Sequence, residues 1–189
     1  MRGLPHLEPR SDGGYGRAVG WLALGWGIGL LAALVALFGL TVLRGAPYVP
    51  TLPRQIQLVL EQLPPGSTIL DLGSGDGALL VAAARRGFEA RGFEINPVLW
   101  LVSRVRCRRY RGQVRVRWCD YWSVPVPEVV DSVYVFTAGP YAARLARKLE
   151  AEVQGRAKPL QVISYGFPIP GREPLVRVGG LFVYRYGDE

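Results

Sequence analysis

A glycine-rich turn between a strand and a helix is the feature that most constrains the fold of this chain. A mostly apolar run ends at Asp71, and Gly73, Gly75 and Gly77 follow at alternate positions. Glycine lets the backbone turn sharply and approach a ligand closely. The run Ala78–Ala84 then predicts a helix. This order predicts a doubly wound α/β sheet, in which ligands bind beyond the carboxyl ends of the strands.

A second carboxylate follows at the end of the next predicted strand, Ala90–Ile95. Glu94 can accept hydrogen bonds from both hydroxyls of a ribose. The loop also carries Asp76, and no Lys or Arg lies between Arg54 and Arg85. The relaxed dinucleotide fingerprint is present, but two carboxylates would repel a pyrophosphate. They suit the ammonium and sulfonium of S-adenosylmethionine, which is the expected cofactor; a dinucleotide site and a purely structural turn remain the alternatives.

The remaining pattern alternates strands with helices, which indicates an α/β sheet. Strands are predicted at 68–72, 90–95, 114–119, 132–136 and 160–165, with a hairpin at 175–178 and 181–186. Helices are predicted at 53–63, 76–86, 97–110 and 141–154. The spacing Asp-x-Gly-x-Gly-x-Gly resembles motif I of class I methyltransferases. The expected fold is therefore a Rossmann-like class I methyltransferase sheet with a C-terminal antiparallel hairpin.

An uncharged apolar segment, residues 18–43, precedes this domain and is bracketed by Arg17 and Arg44. As a helix it would measure roughly 39 Å at 1.5 Å per residue, and about 20 apolar residues already span the hydrocarbon core of a bilayer. The sequence predicts an N-terminal tail (1–17), one transmembrane helix (18–43) and a methyltransferase domain (44–189). Gly25 and Gly29 form a small-xxx-small pair, which is compatible with a homodimer.

The orientation of the segment is predicted from the cofactor. Flanking charges slightly favour a cytoplasmic N-terminus, but S-adenosylmethionine is made in the cytosol. We therefore expect a single-pass membrane protein with its catalytic domain in the cytoplasm. Cys107 and Cys119 are expected to be free thiols, as in a reducing compartment.

The chain is basic, with a formal charge of +8 and seven arginines between Arg104 and Arg117. Such a cluster suits nucleic acid, anionic lipid beside a membrane span, or plain solvation. The apolar segment favours the bilayer as a partner and makes nucleic acid unlikely. The only histidine is His6, so histidine catalysis, a zinc site and a Ser-His-Asp triad are not expected; the catalytic residues are left unassigned.

Further motifs together resemble one family. They are residues 47–50, Gln55, 71–77, 92–97, 120–122, 145–150 and 167–170. Their order and spacing across residues 47–186 resemble the small membrane-anchored protein-lysine N-methyltransferases of mitochondria, which modify the ATP synthase c-subunit and the adenine nucleotide translocase. The excess of arginine over lysine suggests a prokaryotic relative.

The resemblance implies methyl transfer from S-adenosylmethionine to a lysine side chain of an integral membrane protein. It implies that the glycine-rich turn holds the methionine part, Glu94 the ribose and Asp120 the adenine end, with Tyr48 in a segment that closes over the site. Asp120 also suits a loop acid or helix cap, and Tyr121 a purine face or core packing. The expected cofactor-binding set is Tyr48, Asp71, Gly73, Ser74, Gly75, Asp76, Gly77, Glu94, Asn96, Asp120 and Tyr121.

The acceptor is less constrained than the cofactor. After the fourth strand, residues 136–140 are one residue longer than the family pattern, and Gly166 stands where an Arg is usual. Both positions lie near the expected acceptor site. A methyltransferase acting on a lipid, quinone or other small molecule is the alternative, RNA a less favoured one, and a non-enzymatic anchor that retains the fold the least favoured.

Overall fold

The computed structural model describes residues 13–44, 49–136 and 139–187. The chain forms two compact units, which divide between Leu40 and Thr41. Most of helix α1, Gly13–Arg44, lies in the first unit. Its described side chains include Trp21 and Trp26, which are 70% and 80% exposed.

The predicted transmembrane helix at residues 18–43 is not supported by the structure. Helix α1 covers the segment, but within the described ranges no helix is both long enough and apolar enough to cross a membrane.

Seven strands of the described chain form one mixed sheet in the second unit. The strand order is β3-β2-β1-β4-β5-β7-β6. The first five strands are parallel, whereas β7 runs antiparallel to both β5 and β6. This confirms the predicted Rossmann-like α/β sheet with its C-terminal hairpin. The strands are β1 (Thr68–Leu72), β2 (Glu89–Glu94), β3 (Val114–Trp118), β4 (Ser132–Phe136), β5 (Leu160–Tyr165), β6 (Val176–Val178) and β7 (Leu181–Tyr186).

Four α-helices in the described part of this unit connect or precede the strands: α2 (Pro53–Glu61), α3 (Ala78–Arg85), α4 (Pro97–Arg106) and α5 (Gly139–Val153). Asn96 caps α4, because its Oδ1 accepts from the backbone N–H of Val98 and Leu99 at 2.9 and 3.3 Å. Helix α4 ends earlier than predicted, in a 3₁₀ turn at Cys107–Tyr110. Helix α3 also starts two residues later than predicted, since Gly77 has a left-handed backbone (φ +78°).

Apolar side chains cover both faces of the sheet, so all five residues of β1 are buried. One core cluster contains Ile69 and Tyr134 together with α2 and α3. The other contains Leu70 and residues of α5. Because side chains alternate along a strand, Asp71 lies on the same face of β1 as Ile69. The sheet thus carries a carboxylate on a fully covered central strand.

Candidate active site

The candidate site lies where the order of the parallel strands reverses. Strand β1 pairs with β2 on one side and β4 on the other, so consecutive strands diverge from β1 to opposite halves of the sheet. In open α/β sheets, ligands bind at such a switch point, beyond the carboxyl ends of the strands. Asp71, Glu94 and Asp120 all lie at or just beyond these ends, as the sequence predicts.

The glycine-rich turn is fastened to the end of β2. The backbone N–H groups of Gly73 and Ser74 both donate to the carbonyl oxygen of Phe93, each at 2.9 Å. Gly73, Gly75 and Gly77 have φ angles of +92°, +54° and +78°. This region is strained for residues with a Cβ, which explains the alternating glycines.

Glu94 connects the glycine-rich turn to helix α4. Its Oε2 accepts from the N–H of Gly75 at 2.7 Å, and its Oε1 accepts from the N–H of Asn96 at 2.8 Å. Burial raises the pKa of Glu94, and these backbone hydrogen bonds act in the opposite direction. Each carboxylate oxygen can accept a second hydrogen bond, so Glu94 retains acceptor capacity for hydroxyl groups of a ligand.

The carboxyl group of Asp71 has a strongly raised pKa, and its ionisation bears on ligand binding. Only 4% of its surface is exposed. Burial, followed by the nearby charges of Glu94 and Asp76, raises the pKa of its carboxyl group from 3.8 to about 8. A cationic ligand would reverse this effect, since an opposite charge favours the ionised form. The site therefore suits a positively charged group, and its carboxylates fit S-adenosylmethionine better than a pyrophosphate.

Asp76 is engaged within the protein. Its Oδ1 accepts from the N–H of Ala78, the first residue of α3, at 3.1 Å. Its Oδ2 forms an ion pair with Arg106, at the end of α4. No sequence pattern indicated Arg106 as a partner of the turn. The arrangement gives Asp76 a structural role in joining α3 to α4, whatever it contributes to a ligand.

The adenine side of the predicted site is built on the loop after β3. The N–H of Cys119 donates to the carbonyl of Glu94 at 3.0 Å, which holds this loop beside the end of β2. Asp120 Oδ1 accepts from the N–H of Trp122 at 2.9 Å, as expected for a loop acid. The ring centroids of Tyr121 and Trp122 are 4.6 Å apart. Burial, reinforced by the charge of Asp120, raises the pKa of Tyr121.

Three further placements complete the comparison with the predicted set. Tyr48 lies outside the described residues. Asn96 and Ser74 are buried, at 5% and 6% exposure, and Asn96 serves as the cap of α4. Tyr134, which is absent from the predicted set, is paired in register with Asp71. Its pKa is raised by burial and then by the charge of Asp71; a tyrosine inside the buried strand Ser-Val-Tyr-Val-Phe is the signal that would have identified it.

Solved structures share this fold. An RNA methyltransferase from Salinibacter ruber, in complex with S-adenosyl-L-homocysteine, superposes with a TM-score of 0.63 at 26% identity, covering 72% of this chain and 92% of that one. A SAM-dependent methyltransferase from Thiobacillus denitrificans has a TM-score of 0.51 at 22% identity, covering 66% and 54%. The second likeness concerns the fold alone.

Comparison of amino-acid sequences adds information on the family of the chain. The ATP synthase c-subunit lysine N-methyltransferases of Xenopus laevis and Homo sapiens are 38% and 35% identical over 133 residues, which is 68% of this chain. The chain spans just over half the length of these relatives, 56% and 54%. The ANTKMT methyltransferase domain matches residues 71–176, from the first site carboxylate to β6. These findings confirm the resemblance seen in the motifs: the chain belongs to the ANTKMT methyltransferase domain family.

Proposed function

We propose that this protein transfers a methyl group from S-adenosylmethionine to a lysine side chain of a membrane protein. The observation that carries the proposal is the buried pair Asp71 and Glu94 on either side of the glycine-rich turn. The lysine acceptor and its membrane location are suggested by the relatives, which are lysine N-methyltransferases of the ATP synthase c-subunit.

The residues of the turn fit the proposed cofactor. Bound S-adenosylmethionine supplies an electrophilic methyl group on a positively charged sulfur. Asp71 would be held in its ionised form by the positive charges of the methionine part. Glu94 would accept from the ribose hydroxyls while it keeps its bonds to Gly75 and Asn96. Asp120 and Tyr121 are proposed to contact the adenine end.

The acceptor amine must lose a proton before it can react. A lysine has a free pKa near 10.4, so a neutral amine at pH 7 costs about 4–5 kcal/mol. A desolvated site disfavours the ammonium form and lowers this cost. Alignment of the two reactants can supply roughly 7–11 kcal/mol of the barrier. We therefore assign the described residues to binding and alignment, and we assign no general base among them.

RNA methylation is the second candidate. It is favoured by the likeness to the RNA methyltransferase from Salinibacter ruber and by the seven arginines between Arg104 and Arg117. The lysine N-methyltransferase relatives favour the protein acceptor over RNA. A lipid, quinone or other small acceptor is distinguished by the same experiment.

We further propose that the reaction takes place at a membrane, with the catalytic domain in the cytoplasm. Support comes from the uncharged segment 18–43, whose described apolar side chains such as Trp21 and Trp26 are exposed. An added Cβ at Gly25 or Gly29 would meet nothing within 4 Å, so this face of α1 is open to a second copy of the helix. Deletion of residues 1–44 should release the protein from membranes in high salt, and pelleting of the truncated protein under that condition would contradict the attachment.

The proposed activity is tested with full-length protein, radiolabelled S-adenosylmethionine and membranes from a strain that lacks the protein. We expect base-stable label in a protein band, mapping to lysine. Asp71→Asn and Glu94→Gln serve as matched controls that should lose the transfer. Label in the RNA or lipid fraction would show that the acceptor is RNA or a lipid and not a protein. Absence of transfer, together with confirmed cofactor binding and an acceptor shown to be present, would refute the enzymatic proposal.

A further inference from the structure

Helix α4 exposes four of its five valine and leucine side chains. Val98, Leu101, Val102 and Val105 are 46%, 56%, 45% and 56% exposed. They recur at the spacing that places residues on one face of a helix. The one buried side chain within α4 is that of Ser103. An amphipathic helix of a globular domain normally directs its apolar stripe toward the core, so α4 has the opposite arrangement.

Arginines surround this aliphatic face. The segment from Pro97 to Cys119 contains seven arginines and no acidic residue. Arg106 pairs with Asp76; within the described residues it is the one member of the seven that forms an ion pair. Arg104, Arg108, Arg111 and Arg115 line a cavity of about 380 Å³ between α4 and β3. The positive charge of this region is therefore largely uncompensated within the domain.

Two tryptophans lie at the edge of the same region. Trp118, at the end of the edge strand β3, is 58% exposed and its ring centroid lies 6.0 Å from that of Trp100. The indole N–H of Trp118 donates to the carbonyl of Ile95 at 2.9 Å. The guanidinium of Arg104 lies 5.0 Å from the centre of the Trp100 ring. The indole N–H of Trp100 donates to the carbonyl of Val116 at 3.4 Å, so the aromatic pair is held beside Arg104 on the side of α4 that faces β3.

We propose that α4 and β3 together form a docking surface for an anionic lipid bilayer, called here the α4 surface. Helices that bind in the plane of a bilayer combine an apolar face, flanking basic residues and aromatic side chains at the interface. The aliphatic face would enter the boundary between headgroups and acyl chains, and the arginines would contact lipid phosphates. RNA would satisfy the arginines but leave the aliphatic face in water. This inference goes beyond the proposed function, because it concerns how the domain lies on the membrane.

The α4 surface also has a defined relation to the candidate site. Asn96 caps α4, and its N–H donates to Glu94. The ten residues of α4 measure about 15 Å at 1.5 Å per residue. Docking of α4 in the plane of the bilayer would hold the mouth of the site at the headgroup layer. Acceptor groups that emerge only slightly from a membrane would then be reachable.

The test uses the full chain in vesicles, with a fluorophore that is sensitive to its environment. The fluorophore is attached at Leu101→Cys, after Cys107 and Cys119 are replaced by serine and the fold is checked by circular dichroism. Glu173→Cys, whose native side chain is 92% exposed, provides the control label. Vesicles contain phosphatidylcholine alone or phosphatidylcholine with phosphatidylglycerol, each with brominated acyl chains as quencher. Attachment through residues 18–43 is common to both labels, so it does not create a difference between them.

We expect the label at position 101 to be quenched strongly in anionic vesicles and much less in neutral ones. The label at position 173 should be quenched in neither kind of vesicle. Arg108→Gln with Arg109→Gln should weaken docking about fivefold per arginine at low salt. Arg54→Gln with Arg147→Gln, which removes the same charge elsewhere, should not. Equal quenching in both lipids, or none, would overturn the proposal. If the fluorescence of the label at position 101 responds to added RNA and not to vesicles, the surface would be assigned to nucleic acid.

Discussion

Replacement of Asp71 by asparagine should stabilise the cofactor-free protein while it weakens cofactor binding. The native carboxyl group has a pKa of about 8, against an ordinary value of 3.8. The native state therefore keeps a proton that the unfolded chain has released between these two values. Since the unfolded state binds fewer protons there, the free energy of unfolding of the wild type falls as pH rises from about 4 to 8.

The size of this effect follows from the same pKa values. Each pH unit corresponds to about 1.4 kcal/mol when one proton is exchanged, and the slope is half of that near pH 8. Between pH 6 and pH 8, the wild type should lose about 2 kcal/mol of unfolding free energy relative to Asp71→Asn. The asparagine is close in shape to the aspartate and does not ionise, so it removes this pH dependence and little else.

Urea denaturation without cofactor, at pH 6, 7 and 8, measures the difference. The unfolding midpoint of Asp71→Asn should move progressively above that of the wild type as pH rises. Calorimetry should show that the wild type binds S-adenosylmethionine more tightly than Asp71→Asn does. The ratio of wild-type to variant affinity for S-adenosylmethionine should rise by up to tenfold per pH unit below pH 8. Parallel stability curves across this pH range would refute the assignment of a protonated Asp71, and unchanged affinity would refute its place in the site.

Other substitutions test the turn and its supports. Glu94→Gln should lower cofactor affinity at least tenfold by calorimetry, because the amide cannot accept from both Gly75 and Asn96 and from a ribose; unchanged affinity would contradict the ribose assignment. Gly77→Ala combines a left-handed φ with a clash against Ser103 and should cost about 1–3 kcal/mol in urea denaturation. Gly66→Ala has a similar φ but open space, so equal losses would exclude the clash. Arg106→Gln breaks an exposed ion pair and should change stability by less than about 1 kcal/mol; a larger loss would show that α3 and α4 depend on it.

The sequence predicted the central strands more closely than the helices. The bounds of β1, β4 and β5 match the predicted ranges, because turn residues or a change in polarity mark the ends of these apolar strands. Helix α3 starts two residues later than the predicted position 76, because the left-handed backbone of Gly77 is not apparent from composition. The sequence predicts that α4 continues to Tyr110, whereas in the structure it gives way to a 3₁₀ turn at Cys107.

The site was predictable where it depends on strand ends and unpredictable where it depends on contacts between helices. Asp71 and Glu94 follow from the rule that ligands bind beyond the carboxyl ends of parallel strands. The ion pair of Asp76 with Arg106 joins residues 30 positions apart on different elements, which no local pattern encodes. The outward direction of Leu101 and its neighbours was also missed, because periodicity shows that a face is apolar but does not show which way it points.

The two hydrogen bonds of Glu94 have a further consequence for how the protein responds to its surroundings. One carboxylate is bonded both to the glycine-rich turn and to the residue that caps α4. We therefore expect a ligand that repositions this carboxylate to change the free energy of placing α4 against a partner as well. Coupling of this kind is reciprocal. If bilayer contact tightens cofactor binding by some factor, cofactor must tighten bilayer contact by the same factor, so the fraction of the protein with bound cofactor would be highest at a bilayer.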